Sequence, residues 1–201
     1  MKGITSFWIQ AVILFVLAGC SAMGQGVRFG VKGGVNVSDF YVRTNAYNGA
    51  LKNVWKPLVL SNIGVAAEKR FSTLLGLQGE VLYTINGSNL QFSKSYAHFL
   101  SIPIVLNIRP AKWLVLEVGP QGSFIYKSKK SVLFINTDFD LSAVIGCRIQ
   151  ASSSLDIGLR FVQGIAPLGL FSIAENNGNI KNVHDFYNRN LQLSASYWFG
   201  K

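Results

Sequence analysis

Acidic residues are scarce in this sequence: nine aspartates and glutamates stand against 19 lysines and arginines in 201 residues. Histidine and cysteine number two each. His98, His184 and Cys147 are too few donors for a dedicated metal centre. Neither G-x-S-x-G nor H-E-x-x-H occurs, so the common hydrolase signatures are missing, and His184 beside Asp185 is not a dyad by adjacency alone. The glycines are scattered rather than gathered into a phosphate loop, which leaves no nucleotide site to argue. Past the first twenty residues no apolar run approaches the roughly 20 residues of a membrane helix. Yet the chain is oily. Only 14% of its residues are charged, and mean hydropathy is +0.30. An oily chain without a helical span is what a transmembrane β-barrel requires, because half of every strand faces lipid.

The first residues read as a leader. Lys2 supplies the positive start, 7–17 the apolar core, and Ala22-Met23-Gly24 the small residues of a cleavage site. A removed signal peptide over 1–24 and one barrel domain over 25–201 are expected. The alternative is lipidation at Cys20, since Leu17-Ala18-Gly19-Cys20 resembles a lipobox. Without Cys20, Cys147 is alone and no intramolecular disulfide can form. The leader also reinterprets the charge. Eighteen scattered basic residues against nine acidic ones, on an exported chain, meet phosphorylated lipid and lipopolysaccharide rather than nucleic acid.

Strict alternation is clearest over 97–121. Leu100, Ile102, Ile104, Leu106 and Ile108 alternate with Ser101, Pro103, Val105, Asn107 and Arg109. After a break at 110–112, Leu114, Leu116 and Val118 alternate with Val115, Glu117 and Gly119. Period two means strands with one oily and one polar face. The same pattern predicts strands over 27–38, 58–71, 74–85, 136–150, 154–164 and 189–199. Connections then alternate between long and short, with tight turns at 72–73, 110–112 and 152–153. This predicts an all-β fold: an eight-stranded antiparallel up-and-down transmembrane barrel with short periplasmic turns and longer extracellular loops. Long loops are expected over 39–57, from the turn-forming Asn86-Gly87-Ser88-Asn89 to 95, at the lysines after 126, and over 165–188. Tyr83, Trp113, Tyr126, Tyr197 and Phe199 near strand ends suit interfacial girdles.

The polar face carries Arg28, Lys32, Arg70, Arg109, Arg148 and Arg160 with Glu68, Glu80, Glu117, Asp138, Asp140 and Asp156. An eight-stranded barrel is only wide enough for side chains, so these charges must pair. A salt-bridged plug is expected from Arg28, Lys32, Glu80, Arg109, Glu117, Asp140, Arg148, Asp156 and Arg160. Glu80, Glu117, Arg109 and Arg148 should lie mid-barrel. The competing reading of these charges is a narrow aqueous channel. Tyr41, Tyr47, Trp55, Lys127, Lys129 and Lys130 form a candidate contact surface on the loops.

Phe29-Gly30-Val31-Lys32-Gly33-Gly34-Val35-Asn36-Val37-Ser38 resembles the opening G-x-K-x-G-x-N-x-S strand of PorT-like outer-membrane β-barrel proteins. Residues 99–120, with Ile102-Pro103, Arg109-Pro110 and Gly119-Pro120, resemble their central hairpin; 160–164 and 190–199 are similar to their last two strands. The resemblance implies an integral outer-membrane barrel with no cofactor and no established catalytic residue. One branch of that family is tied to assembly of a protein-secretion machine. The expected function is therefore that of a non-enzymatic outer-membrane barrel that supports the envelope or docks a secretion or surface partner through its loops. The alternatives are a small outer-membrane enzyme and a secreted lipocalin-like barrel with the oily face inward.

Overall fold

The computed structural model describes residues 26–42, 55–90, 93–129, 134–135, 137–174 and 180–199. The expected leader, Cys20, Tyr47 and Lys130 lie outside them. The strands are β1 (Val27–Val42), β2 (Trp55–Arg70), β3 (Leu75–Leu90), β4 (Ser93–Ala111), β5 (Leu114–Lys129), β6 (Phe134–Ile135), β7 (Phe139–Gln150), β8 (Leu155–Gly164), β9 (Gly169–Ala174) and β10 (Ile180–Phe199).

Every neighbour in the sheet is antiparallel. The ring runs β1-β2-β3-β4-β5-β7-β8-β10 and closes because β10 also pairs with β1, from Phe29 opposite Phe199 to Val42 opposite Phe186. Eight staves thus leave no edge in lipid, which a membrane sheet needs because hydrocarbon offers backbone groups no partner. β9 continues the line of β8 against the upper half of β10, and β6 pairs with β9.

The orientation of the alternating faces is unambiguous. Leu106, Leu116 and Ile145 are 38%, 41% and 63% exposed, whereas Glu117 and Arg148 are each 2% exposed. Oil therefore faces out and charge faces in, which excludes the lipocalin-like arrangement. Trp113, Tyr197 and Phe199 ring the end with the tight turns, and Tyr83 and Tyr126 stand toward the other; all are exposed. On that upper outer face Tyr83 Oη and His98 Nδ1 lie 2.6 Å apart, so His98 belongs to the girdle.

The tight turns are as short as expected, with Ser72 Oγ accepting from Leu75 N at 3.0 Å and Ser152 Oγ from Leu155 N at 3.1 Å. The long connections differ from expectation. Asn86-Gly87-Ser88-Asn89 is not a turn but part of β3, because the lumen supplies its polar groups with partners. Asn36 Nδ2 donates to Asn86 Oδ1 at 2.9 Å, and Gly87 N donates to Ser38 Oγ at 3.0 Å. The expected loop over 165–188 contains β9 and the first part of β10. Lys127 and Lys129 likewise fall within β5, and Tyr41 within β1. β4 and β10 reach 19 and 20 residues, against the roughly 9–11 that cross hydrocarbon. The staves project well beyond the bilayer on the side away from the tight turns.

Candidate functional site: a lumen closed at two levels

The inward residues sort into three main layers, with a small buried apolar cluster of Val105, Val144 and Val162 set among them. The lowest, above the tight turns, is ionic and has two tiers. In the upper tier Arg160 lies between two carboxylates. Its Nη1 and Nη2 donate to Glu80 at 2.8 and 2.6 Å, while Nε and Nη2 donate to Glu117 at 2.5 and 3.0 Å. Lys32 Nζ completes the tier at 3.2 Å from Glu80. Gly146 makes the room, since a Cβ there would meet Arg160 Cγ at 2.7 Å.

The lower tier centres on Glu68, which four arginines approach: Arg28 at 2.6 Å, Arg148 at 3.3 Å, Arg70 at 3.8 Å, and Arg109 in direct contact. Asp156 takes a share of Arg28 and Arg148 at 3.6 and 3.3 Å. It also accepts from Trp198 Nε1 at 2.8 Å. The Arg28 guanidinium lies 4.2 Å over the Trp198 ring and that of Arg148 lies 5.3 Å away, within cation–π reach. Gln78 joins the tiers. It accepts from Arg148 Nη1 at 2.7 Å and donates to Glu80.

Three expectations need correction here. Arg109 is not mid-barrel: its backbone N donates to Leu74 O in the first turn, so it belongs to the periplasmic end. Asp140 is not in the ion-pair network. It lies higher, accepting from Ser142 Oγ at 2.9 Å and Asn188 Nδ2 at 3.2 Å, and no cation among the described residues pairs with it. Asp138 also leaves the inner face, being exposed before β7 begins. Arg160, rather than Arg109, holds the centre.

The middle layer is polar but otherwise uncharged: Asn36, Asn62, Ser101, Gln121, Ser123 and Ser142 are all buried, as is Asp140. Ser123 Oγ donates to Ser101 Oγ at 3.0 Å. Above it comes a layer that sequence reading missed. Phe40, Ala97, Phe99, Leu168 and Phe186 form a buried apolar cluster with Ile125 packed on it. Phe40 and Phe186 meet edge to face at 5.7 Å. Phe40 and Phe186 obey the inward register, but only if β1 and β10 run past their expected ends. Leu168 enters from the bend between β8 and β9, where its backbone N donates to Phe186 O at 2.9 Å. No periodicity marks it.

Around the outer rim, Tyr41 is exposed with the Arg189 guanidinium 5.3 Å over its ring, and Arg189 Nη2 donates to Asp39 at 3.2 Å. Trp55, Lys127 and Lys129 occupy strand ends on this rim. Asp185 is exposed in β10. Chemically, the described interior fills the lumen with buried side chains, its upper ionic tier matched in charge and its lower tier rich in cations.

A family model described as outer membrane protein beta-barrel domain matches residues 21–169. Among solved structures, Neisserial surface protein A (NspA) aligns at 12% identity over 85% of this chain and 97% of its own, with a TM-score of 0.51. Ail of Yersinia pestis aligns at 12% identity over 86% and 98%, with a TM-score of 0.48. OprG from Pseudomonas aeruginosa aligns at 11% over 87% and 95%, with a TM-score of 0.45. At such identity the NspA likeness concerns the fold alone. No curated protein matches the sequence.

Proposed function

The chain belongs to the outer membrane protein β-barrel domain family, and from that premise we propose a non-enzymatic, non-conducting barrel that works at its outer rim. In this reading it is PorT-like: an envelope component, set in outer-membrane lipid and lipopolysaccharide, that docks a secretion or surface protein. It needs no cofactor. The observation that carries the proposal is the coincidence of a lumen closed by side chains at two levels with staves that run on beyond the bilayer. A conduit needs the first feature absent. A docking platform uses the second, because a paired sheet presents Tyr41 on a fixed frame and carries Trp55 and the β5 lysines in its strands, whereas a free loop must be ordered at a cost in entropy on binding.

The test is co-purification from mildly solubilised envelopes. The intact chain should retain a partner that is lost when residues 43–54 and 175–179 are cut to minimal turns, while heat-dependent gel mobility shows that the barrel still folds. Unchanged recovery of the same partner by the trimmed chain would refute rim docking.

A further inference from the structure

The ionic layer is unevenly balanced. In its upper tier Arg160 and Lys32 match Glu80 and Glu117 charge for charge. In the lower tier Arg28, Arg70, Arg109 and Arg148 face only Glu68 and Asp156. Arg148 also lies 3.6 Å from Glu117, but that carboxylate is already held by Arg160. The lower tier thus carries two cations in excess, one of them the half-exposed Arg70 and the other buried with Arg109 and Arg148. Buried positive charge without a counter-charge is costly in a low dielectric, so the excess calls for an anion.

The place for one is present. A cleft of about 580 Å³ opens at the periplasmic mouth, lined by Arg70, Arg109 and Lys112 with Thr73, Leu74 and Gln150 among its walls. Arg109 is nine-tenths buried, yet its Nε and Nη1 have no hydrogen-bond partner among the described residues. Gly76 leaves space beside that nitrogen, since a Cβ there would lie 3.1 Å from Arg109 Nη1. A guanidinium with idle donors, flanked by a half-exposed arginine and an exposed lysine, matches the several acceptor oxygens of a phosphate. The tight turns keep this mouth low, and exposed Phe71, Leu74 and Trp113 stand beside it at the membrane interface. A headgroup at that interface can present its phosphate to the cleft.

We propose that the periplasmic mouth formed by Arg70, Arg109 and Lys112 is a phosphate-binding site, filled by a phospholipid headgroup of the inner leaflet or by free phosphate from the periplasm. The occupant neutralises the lower tier from below, while the matched upper tier needs none.

The experiment uses the full-length chain in an uncharged maltoside detergent and follows its thermal unfolding midpoint. Inorganic phosphate, phosphatidylglycerol and diacylglycerol with the same acyl chains are each titrated, with sodium chloride as the ionic-strength control. The midpoint should rise with phosphate, with phosphatidylglycerol, or with both. Response to the lipid alone assigns the headgroup source, and response to phosphate alone assigns the free source. The Arg70→Gln/Lys112→Gln variant changes only the more exposed walls and should keep its heat-dependent gel mobility. It should need roughly tenfold more of the effective anion for the same rise. A rise equalled by sodium chloride or diacylglycerol, no rise at all, or an unchanged response in the double variant would overturn the proposal.

Discussion

The lumen is filled by charge near its periplasmic end and by oil at the other, and the two fillings rest on different physics. Around Arg160, stability depends on every partner being present, because each ion has left water and the mutual attraction only offsets that loss. Around Phe186 no partner is indispensable, since each apolar side chain contributes in proportion to the surface it removes from water. The first is brittle and specifies which staves stand opposite one another. The second is forgiving and caps the end that projects furthest from the membrane.

The comparison is most easily broken in the ionic layer. Arg160→Met would leave Glu80 and Glu117 buried with too few cations, at a cost of about 3–5 kcal/mol. Urea unfolding in lipid vesicles, followed by heat-dependent gel mobility, would measure it; a cost below that of a typical apolar truncation would contradict the brittle reading. Charge on the opposite face supplies a yardstick. Ile145→Lys places an ammonium against lipid and should cost about 2–4 kcal/mol if the residue lies near the midplane, on the same assay.

The apolar layer should respond less. Leu168→Ala removes part of one buried side chain, and about 2 kcal/mol is expected by the same unfolding measurement. The smallest effect sharpens the contrast most. Lys32→Met combined with Glu80→Leu removes a cation and an anion together and leaves Arg160 held by Glu117. The pair should lie within about 1 kcal/mol of the wild type, while either single change should be worse than both together.

How much of this was legible in the sequence follows from what period two encodes. Alternation assigned a face to Leu106, Glu117, Ile145 and Arg160, because in a sheet the face is decided residue by residue. It could not place them along the barrel axis. That coordinate depends on the stagger between strands, so Arg109 was expected mid-barrel although it belongs beside the first turn. Strand ends were lost for a related reason. Asn86 and Ser88 have turn chemistry, yet inside a closed lumen their polar groups find partners in β1 and β2 that no local rule can see. Leu168 is the extreme case: a bend residue buried by a cluster drawn from four distant strands.

Conductance across a planar bilayer is the most direct test of the two-level seal. Wild type, Arg160→Met and Leu168→Ala should each pass no steady ion current, since the untouched level still closes the lumen. Arg160→Met combined with Phe99→Ala and Leu168→Ala should show discrete openings. A steady step conductance through the folded wild-type barrel would contradict the account.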